Sequence, residues 1–99
     1  MVVVELNVIP LGEGSSISRL LAPTVRELER RVGKYEITPM CTVFEAESAE
    51  EAFEVVRAAH EATFSSGVKR VVTTVKIDDR RDVGRGMEEK VESLKKVVG

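Results

Sequence analysis

Tryptophan is absent from this 99-residue chain, and one tyrosine and three phenylalanines are its only other aromatics. A core must therefore be assembled from Val, Leu, Ile and Ala, which supply most of the 42% hydrophobic content. A single cysteine, Cys41, excludes an internal disulfide and gives no support to an oxidising compartment. A single histidine, His60, together with that one thiol, leaves too few ligands for the common zinc clusters, and no metal site is expected. Neither sign of charge dominates. Fifteen basic and 17 acidic residues leave a formal net charge of −2, too little to gather nucleic acid or an anionic membrane surface.

Long apolar runs are also missing. Nothing approaches the ~20 residues that span a bilayer. Met1–Val4 is broken by Glu5 and lacks the charged and apolar regions of a signal peptide, so a cytoplasmic location is expected. No G-x-x-x-x-G-K phosphate loop occurs, and Gly12-Glu13-Gly14 has two of the three glycines of a dinucleotide fingerprint without its spacing. The only asparagine, Asn7, lies inside an apolar alternating segment. The loop after it carries no arginine, which argues against acylphosphatase chemistry. No nucleophile–base pair is in view, so the chain is expected not to be an enzyme and to need no cofactor. The strands that stack bases in RNA-binding domains of a similar βαββαβ order carry Val, Thr and Lys here.

What is present is a clear order of elements in one 99-residue domain. In Val2–Pro10, Val4, Leu6 and Val8 alternate with Val3, Glu5, Asn7 and Ile9, the period of a half-buried strand. Ser15 or Ser16 is expected to cap a helix whose face is Ile17, Leu20, Leu21, Val25, Leu28 and Val32. Pro23 either kinks this helix or marks a later start, and Gly33 is its expected stop. Tyr35–Ile37 and Cys41–Glu45 predict a strand pair around Thr38-Pro39-Met40. Ser48 with Glu51 fits a capping box, opening a helix with Ala49, Ala52, Phe53, Val56, His60 and Phe64 inside, closed by Ser65-Ser66-Gly67. Val68–Ile77 predicts a strand, 78–86 a charged loop, and Met87–Val98 a last helix striped by Met87, Val91, Leu94 and Val98.

The predicted fold is α+β: a ferredoxin-like βαββαβ antiparallel sheet with two helices on one face and an additional C-terminal helix. Its other face carries Val3, Ile9, Val43 and Val72 among Glu5, Asn7, Glu45, Thr74 and Lys76. Such a patch calls for cover. A second copy stacked sheet on sheet is the expected cover, with the third helix as the alternative.

Most singled-out residues have structural readings. His60 should be partly buried with one hydrogen bond, and Cys41 a small half-buried residue. Phe44, Phe53 and Phe64 should all be core. Pro10–Ser18 leads from a strand end to a helix start, where backbone N–H groups and hydroxyls can grip a polar ligand. Thr42 shares a face with Phe44 and should point toward the helices, where its hydroxyl needs a partner. Lys76, Asp78, Arg80 and Arg81 belong to a strand end and a charged loop.

Three segments in order give the chain a resemblance: Asn7-Val-Ile-Pro-Leu-Gly12 with Ser16-Ile-Ser18; Tyr35-Glu-Ile-Thr-Pro-Met40 leading to Thr42-Val-Phe-Glu45; and Val75-Lys-Ile-Asp78 with Arg80 and a helix holding Lys90. The sequence resembles the YkoF-like family of small thiamine-binding proteins. The resemblance implies a ferredoxin-like fold, self-association into dimers or tetramers, and binding of thiamine or its hydroxymethylpyrimidine portion without catalysis. It points to Gly12, Ser16, Ser18 and Thr42, and to Glu45 and Asp78 as candidate carboxylates for the aminopyrimidine edge or the thiazolium charge. Where the family often has Glu-Gly, this chain has Glu45-Ala46. The other function class consistent with the open sheet face is a regulatory or assembly module that binds a protein.

Overall fold

The computed structural model describes residues 1–12, 17–82 and 86–99. Its elements are β1 (Val2–Pro10), α1 (Ser18–Arg31), β2 (Tyr35–Ile37), β3 (Thr42–Ala46), α2 (Ala49–Thr63) followed by a 3-10 turn at Phe64–Ser66, β4 (Val71–Asp79) and α3 (Met87–Val98). The strands form one antiparallel sheet in the order β2-β3-β1-β4, as the βαββαβ reading predicts. Central β1 pairs Val4 with Phe44 on one side and with Ile77 on the other. All three side chains therefore share the inner face.

That face and the two helices on it make the core. Val2, Val4, Leu6, Val8, Phe44 and Ala46 from the sheet meet Leu28 and Val32 beside α1, and Ala52, Val55 and Ala59 of α2. Each fully buried Val, Leu or Phe contributes about 1.5–3 kcal/mol of apolar burial. One polar chain crosses this packing. Thr63 Oγ1 donates to the Ala59 carbonyl at 2.9 Å, so the 2.5 Å contact between the Thr24 and Thr63 hydroxyls has Thr24 donating. It ties α1 to α2 with both hydroxyls satisfied.

Local expectations hold in part. The Ser48 hydroxyl accepts from the Glu51 N–H at 3.1 Å, while Glu51 reaches back to the N–H of Glu47 rather than of Ser48. Gly67 closes the turn after α2 in the left-handed region, φ 84°. The β4 strand runs on to Asp79, so Asp78 is a strand residue and not part of a loop.

Other expectations are corrected. The N-cap of α1 is Ile17 with no side-chain cap; Ser15 and Ser16 lie outside the described residues. The helix passes through Pro23, which removes the N–H that would bond the Arg19 carbonyl but does not end it. Nor does Gly33 stop α1 through a left-handed turn. The chain leaves the helix one residue earlier, where Val32 becomes extended (φ −122°, ψ 147°). The buried stripe of α2 is Ala52, Val55, Ala58, Ala59 and Thr63, and Phe53 is 60% exposed. Three alanines mark the line of closest approach, where a phenyl ring would not fit, so Phe53 falls outside it.

The outer face is covered at one end only. Val3 and Val43 are half-buried in a groove walled by Met87 and Val91 of α3. Ile9 and Val72, at the other end, are exposed. No residue of α3 within Met87–Val98 is buried, and Leu94 and Val98 of its predicted stripe are exposed.

Candidate functional site

A cavity of 360 Å³ opens between α1, the inner face of β1 and the β2–β3 hairpin. Its size falls in the range of small-molecule sites. Ile17, Ser18, Leu21 and Val25 of the α1 region form one wall, and Ile37 to Thr42 form the other. No charged side chain lines it among the described residues.

The hairpin wall is held rigidly. Thr38 N–H donates to the Cys41 carbonyl at 2.9 Å, closing a turn with Pro39 and Met40 at its tip. The Thr38 hydroxyl donates to the same carbonyl at 2.8 Å and accepts from the N–H groups of Met40 (3.3 Å) and Cys41 (3.1 Å). Hydroxyl-to-backbone bonds of this kind fix a turn from within. Cys41 is half-buried as expected, its Sγ 3.6 Å from Thr38 Oγ1. The turn shortens β3, which starts at Thr42. Pairing between β1 and β3 ends at Leu6 with Thr42, whereas pairing between β1 and β4 continues to Pro10 with Val71. Past Leu6, one edge of β1 therefore faces the cavity instead of a strand.

Of the residues named from sequence, the fold brings Ser18 and Thr42 together in this cavity. Neither hydroxyl has a hydrogen-bond partner among the described residues. Gly12 is exposed just beyond β1, with φ 80°, and does not line the cavity. Ser16 lies outside the described residues. Glu45 and Asp78 stand on the opposite face, flanking Val3, with which both are in register across β1. Both are engaged with or near α3. Lys34 Nζ lies 3.8 Å from Glu45 Oε2 and 3.0 Å from Glu88 Oε1, and Lys90 Nζ pairs with Asp78 Oδ2. The Glu88 contact, above all, holds the Lys34 ammonium above its ordinary range. His60 has the predicted single hydrogen bond, Nδ1 to Thr73 Oγ1 at 2.6 Å, and an edge-on contact with Phe64.

The hairpin tip and the helix residues Leu21 and Val25 were not identified as site residues from sequence. The apolar stripe of α1 reads as core, yet within it only Leu28 and Val32 are buried, with Leu21 packed against them. The available signal was the segment Thr38–Cys41, whose turn chemistry shortens the strand beside β1.

Comparison with known proteins places the chain in a family. The profile of a family described as thiamine-binding protein matches residues 4–95. A UPF0045 protein of Methanothermobacter thermautotrophicus is 50% identical over 99 residues, covering 99% of this chain and all of the relative. The UPF0045 protein YqgV of Bacillus subtilis is 40% identical over 101 residues, covering 97% and 96%. Among solved structures, the hypothetical protein MJ1052 of Methanocaldococcus jannaschii superimposes with a TM-score of 0.86 at 32% identity, over 95% of both chains. A candidate thiamine biosynthesis or salvage protein of Thermotoga maritima gives 0.78 at 27%, over 94% of this chain and 97% of that one. The chain belongs to the thiamine-binding protein family, the YkoF-like group its sequence resembles.

Proposed function

We propose that this chain binds thiamine, or its hydroxymethylpyrimidine portion, reversibly and without catalysis, in the cavity between α1 and the β2–β3 hairpin. The observation that carries this reading is the cavity itself: family membership is joined there by two hydroxyls with no hydrogen-bond partner among the described residues, the exposed Ser18 and the half-buried Thr42, at an apolar pocket of 360 Å³. An aromatic aminopyrimidine fits such a lining, its faces against Leu21, Val25 and Ile37 and its polar edge toward the hydroxyls and the β1 backbone. With no carboxylate in the wall among the described residues, the cationic thiazolium is directed to the mouth and to water. With no Lys or Arg there, the unphosphorylated vitamin is favoured over its diphosphate. Cys41 has no imidazole beside it in the cavity wall, which favours binding over nucleophilic chemistry.

The proposed role is storage, buffering or delivery in the cytoplasm by a homo-oligomer that covers the exposed end of the outer face around Ile9 and Val72. No helix among the described residues is long and apolar enough to cross a membrane. Calorimetric titration with thiamine is the direct test. Binding heat is expected, and no heat at millimolar ligand with folded protein would reject the reading. The exposed outer face also supports a second reading, a module that docks another protein there. Val72→Glu separates the two, because it should abolish self-association or partner binding while leaving the heat of thiamine binding intact.

A further inference from the structure

The direction of every backbone bond in β1 follows from two loop contacts. Leu11 N–H donates to the Arg70 carbonyl at 2.9 Å, and the register places Leu11 opposite Arg70. In an antiparallel ladder, residues alternate between exchanging bonds with one neighbour and with the other. Counting back from Leu11, the odd residues Ile9, Asn7, Glu5 and Val3 bond to β4. The even residues Val8, Leu6, Val4 and Val2 turn their N–H and C=O toward β3. Contacts on the other side agree. Glu45 N–H donates to the Lys34 carbonyl at 3.2 Å, so the odd residues of β3 bond to β2 and the even ones, Thr42, Phe44 and Ala46, to β1.

Leu6 meets Thr42, Val4 meets Phe44 and Val2 meets Ala46. Val8 meets nothing. Extending the register would set it opposite Met40, but Met40 is at the hairpin tip, its N–H held by Thr38 Oγ1 and its side chain 80% exposed. The backbone N–H and C=O of Val8 have no backbone partner among the described residues. Val8 is nonetheless 7% exposed and lines the cavity. A buried residue with an unpaired donor and acceptor side by side is uncommon and asks for a partner.

We propose that the Val8 N–H and C=O form the recognition doublet of the cavity, pairing with a ligand edge that offers an acceptor beside a donor. An aminopyrimidine has that edge: a ring nitrogen accepts from Val8 N–H, and the adjacent amino group donates to Val8 C=O. The ligand completes the β1 edge where β3 stops, as a docked strand does on a larger scale. This inference rests on the cavity being the binding site. It adds that specificity for the amino group comes from the main chain.

The test is amide hydrogen exchange and the amide NMR spectrum of the full chain, alone and with the hydroxymethyl aminopyrimidine of thiamine, alongside calorimetry. In the free chain, Val8 N–H should exchange at least tenfold faster than its bonded neighbours Leu6 and Ile9. On adding the aminopyrimidine it should slow by about tenfold or more and shift downfield, and the analogue lacking the amino group should bind about tenfold more weakly. Three results overturn the proposal. Val8 could be protected like Leu6 before any ligand is added. Binding heat could appear with shifts at Ser18 and Thr42 while Val8 is unmoved, which removes this inference alone. Absence of heat with either compound removes both this inference and the binding reading it rests on.

Discussion

A β-carbon at position 86 would stand 2.3 Å from Glu45 Oε1, so Gly86 and the Glu45 carboxylate occupy adjoining space with no room between them. Backbone torsion does not require the glycine, since φ −100° and ψ −169° suit any residue. The requirement is steric, and it puts a nearly buried carboxylate at the N-terminal end of α3, where the helix dipole favours negative charge. Gly86→Ala should cost about 1 kcal/mol in urea unfolding. In a Glu45→Ala background the same change should cost less, because the carboxylate that the β-carbon meets is gone. Equal costs in both backgrounds would show that the carboxylate is not what the β-carbon meets.

The two buried threonines predict an asymmetry. Thr63→Val leaves the Thr24 hydroxyl without its acceptor and should cost about 1–3 kcal/mol, whereas Thr24→Val leaves Thr63 still bonded to Ala59 and should cost about 1 kcal/mol or less. The double variant should recover part of the Thr63→Val loss. Chemical denaturation of the three variants measures it, and a Thr24→Val cost equal to that of Thr63→Val contradicts the donor order.

Cavity and outer face should separate in binding. Thr42→Val should weaken thiamine about tenfold, the loss of one hydrogen bond in an apolar pocket. Glu45→Gln and Asp78→Asn, on the opposite face, should leave affinity within about twofold. A large loss in either carboxylate variant, with Thr42→Val silent, would move the site to the outer face.

Stability should fall off at both ends of the pH range. Hydrogen bonds from Arg31, Arg57 and Arg81 hold Glu27, Glu54 and Asp79 below their ordinary values of 4.5, 4.5 and 3.8. What these carboxylates contribute is present above those values and lost as pH falls through the lowered ones. Lys34, held above 10.5 by Glu88, and Tyr35, held above 10.0 by its hydrogen bond with Glu29, work in the other direction. Their contribution is present below those values and lost as pH rises through the raised ones. All five groups are solvent-accessible, so high salt should flatten both flanks. Urea midpoints across pH at low and high salt test this, and flanks insensitive to salt would assign the pH dependence to other groups.

Strand and helix existence was legible because it follows from period and punctuation. The alternation of Val2–Pro10, the Ser48 cap and Gly67 are local devices, and β2 and α3 were expected within the bounds the structure has. Phe53 was misread because a helix stripe inferred from hydrophobicity favours the largest apolar residue, while the packed stripe favours the residues that fit. Ser18 and Thr42 were legible as candidates; that they share a cavity was not. The family resemblance names Glu45 and Asp78 beside them, and strand alternation alone puts Glu45 on the face opposite Thr42.

The sequence by itself determined the order of elements, the face each strand residue takes and the poverty of catalytic groups, because these depend on neighbours a few residues apart. Tertiary structure decided where β3 stops relative to β1, and so where a backbone edge is left to face a cavity. It also set α3 over Val3 and Val43 rather than leaving that end of the sheet bare. Both depend on register and helix placement across the chain, which are set by side-chain volumes and closest approaches that no local period encodes.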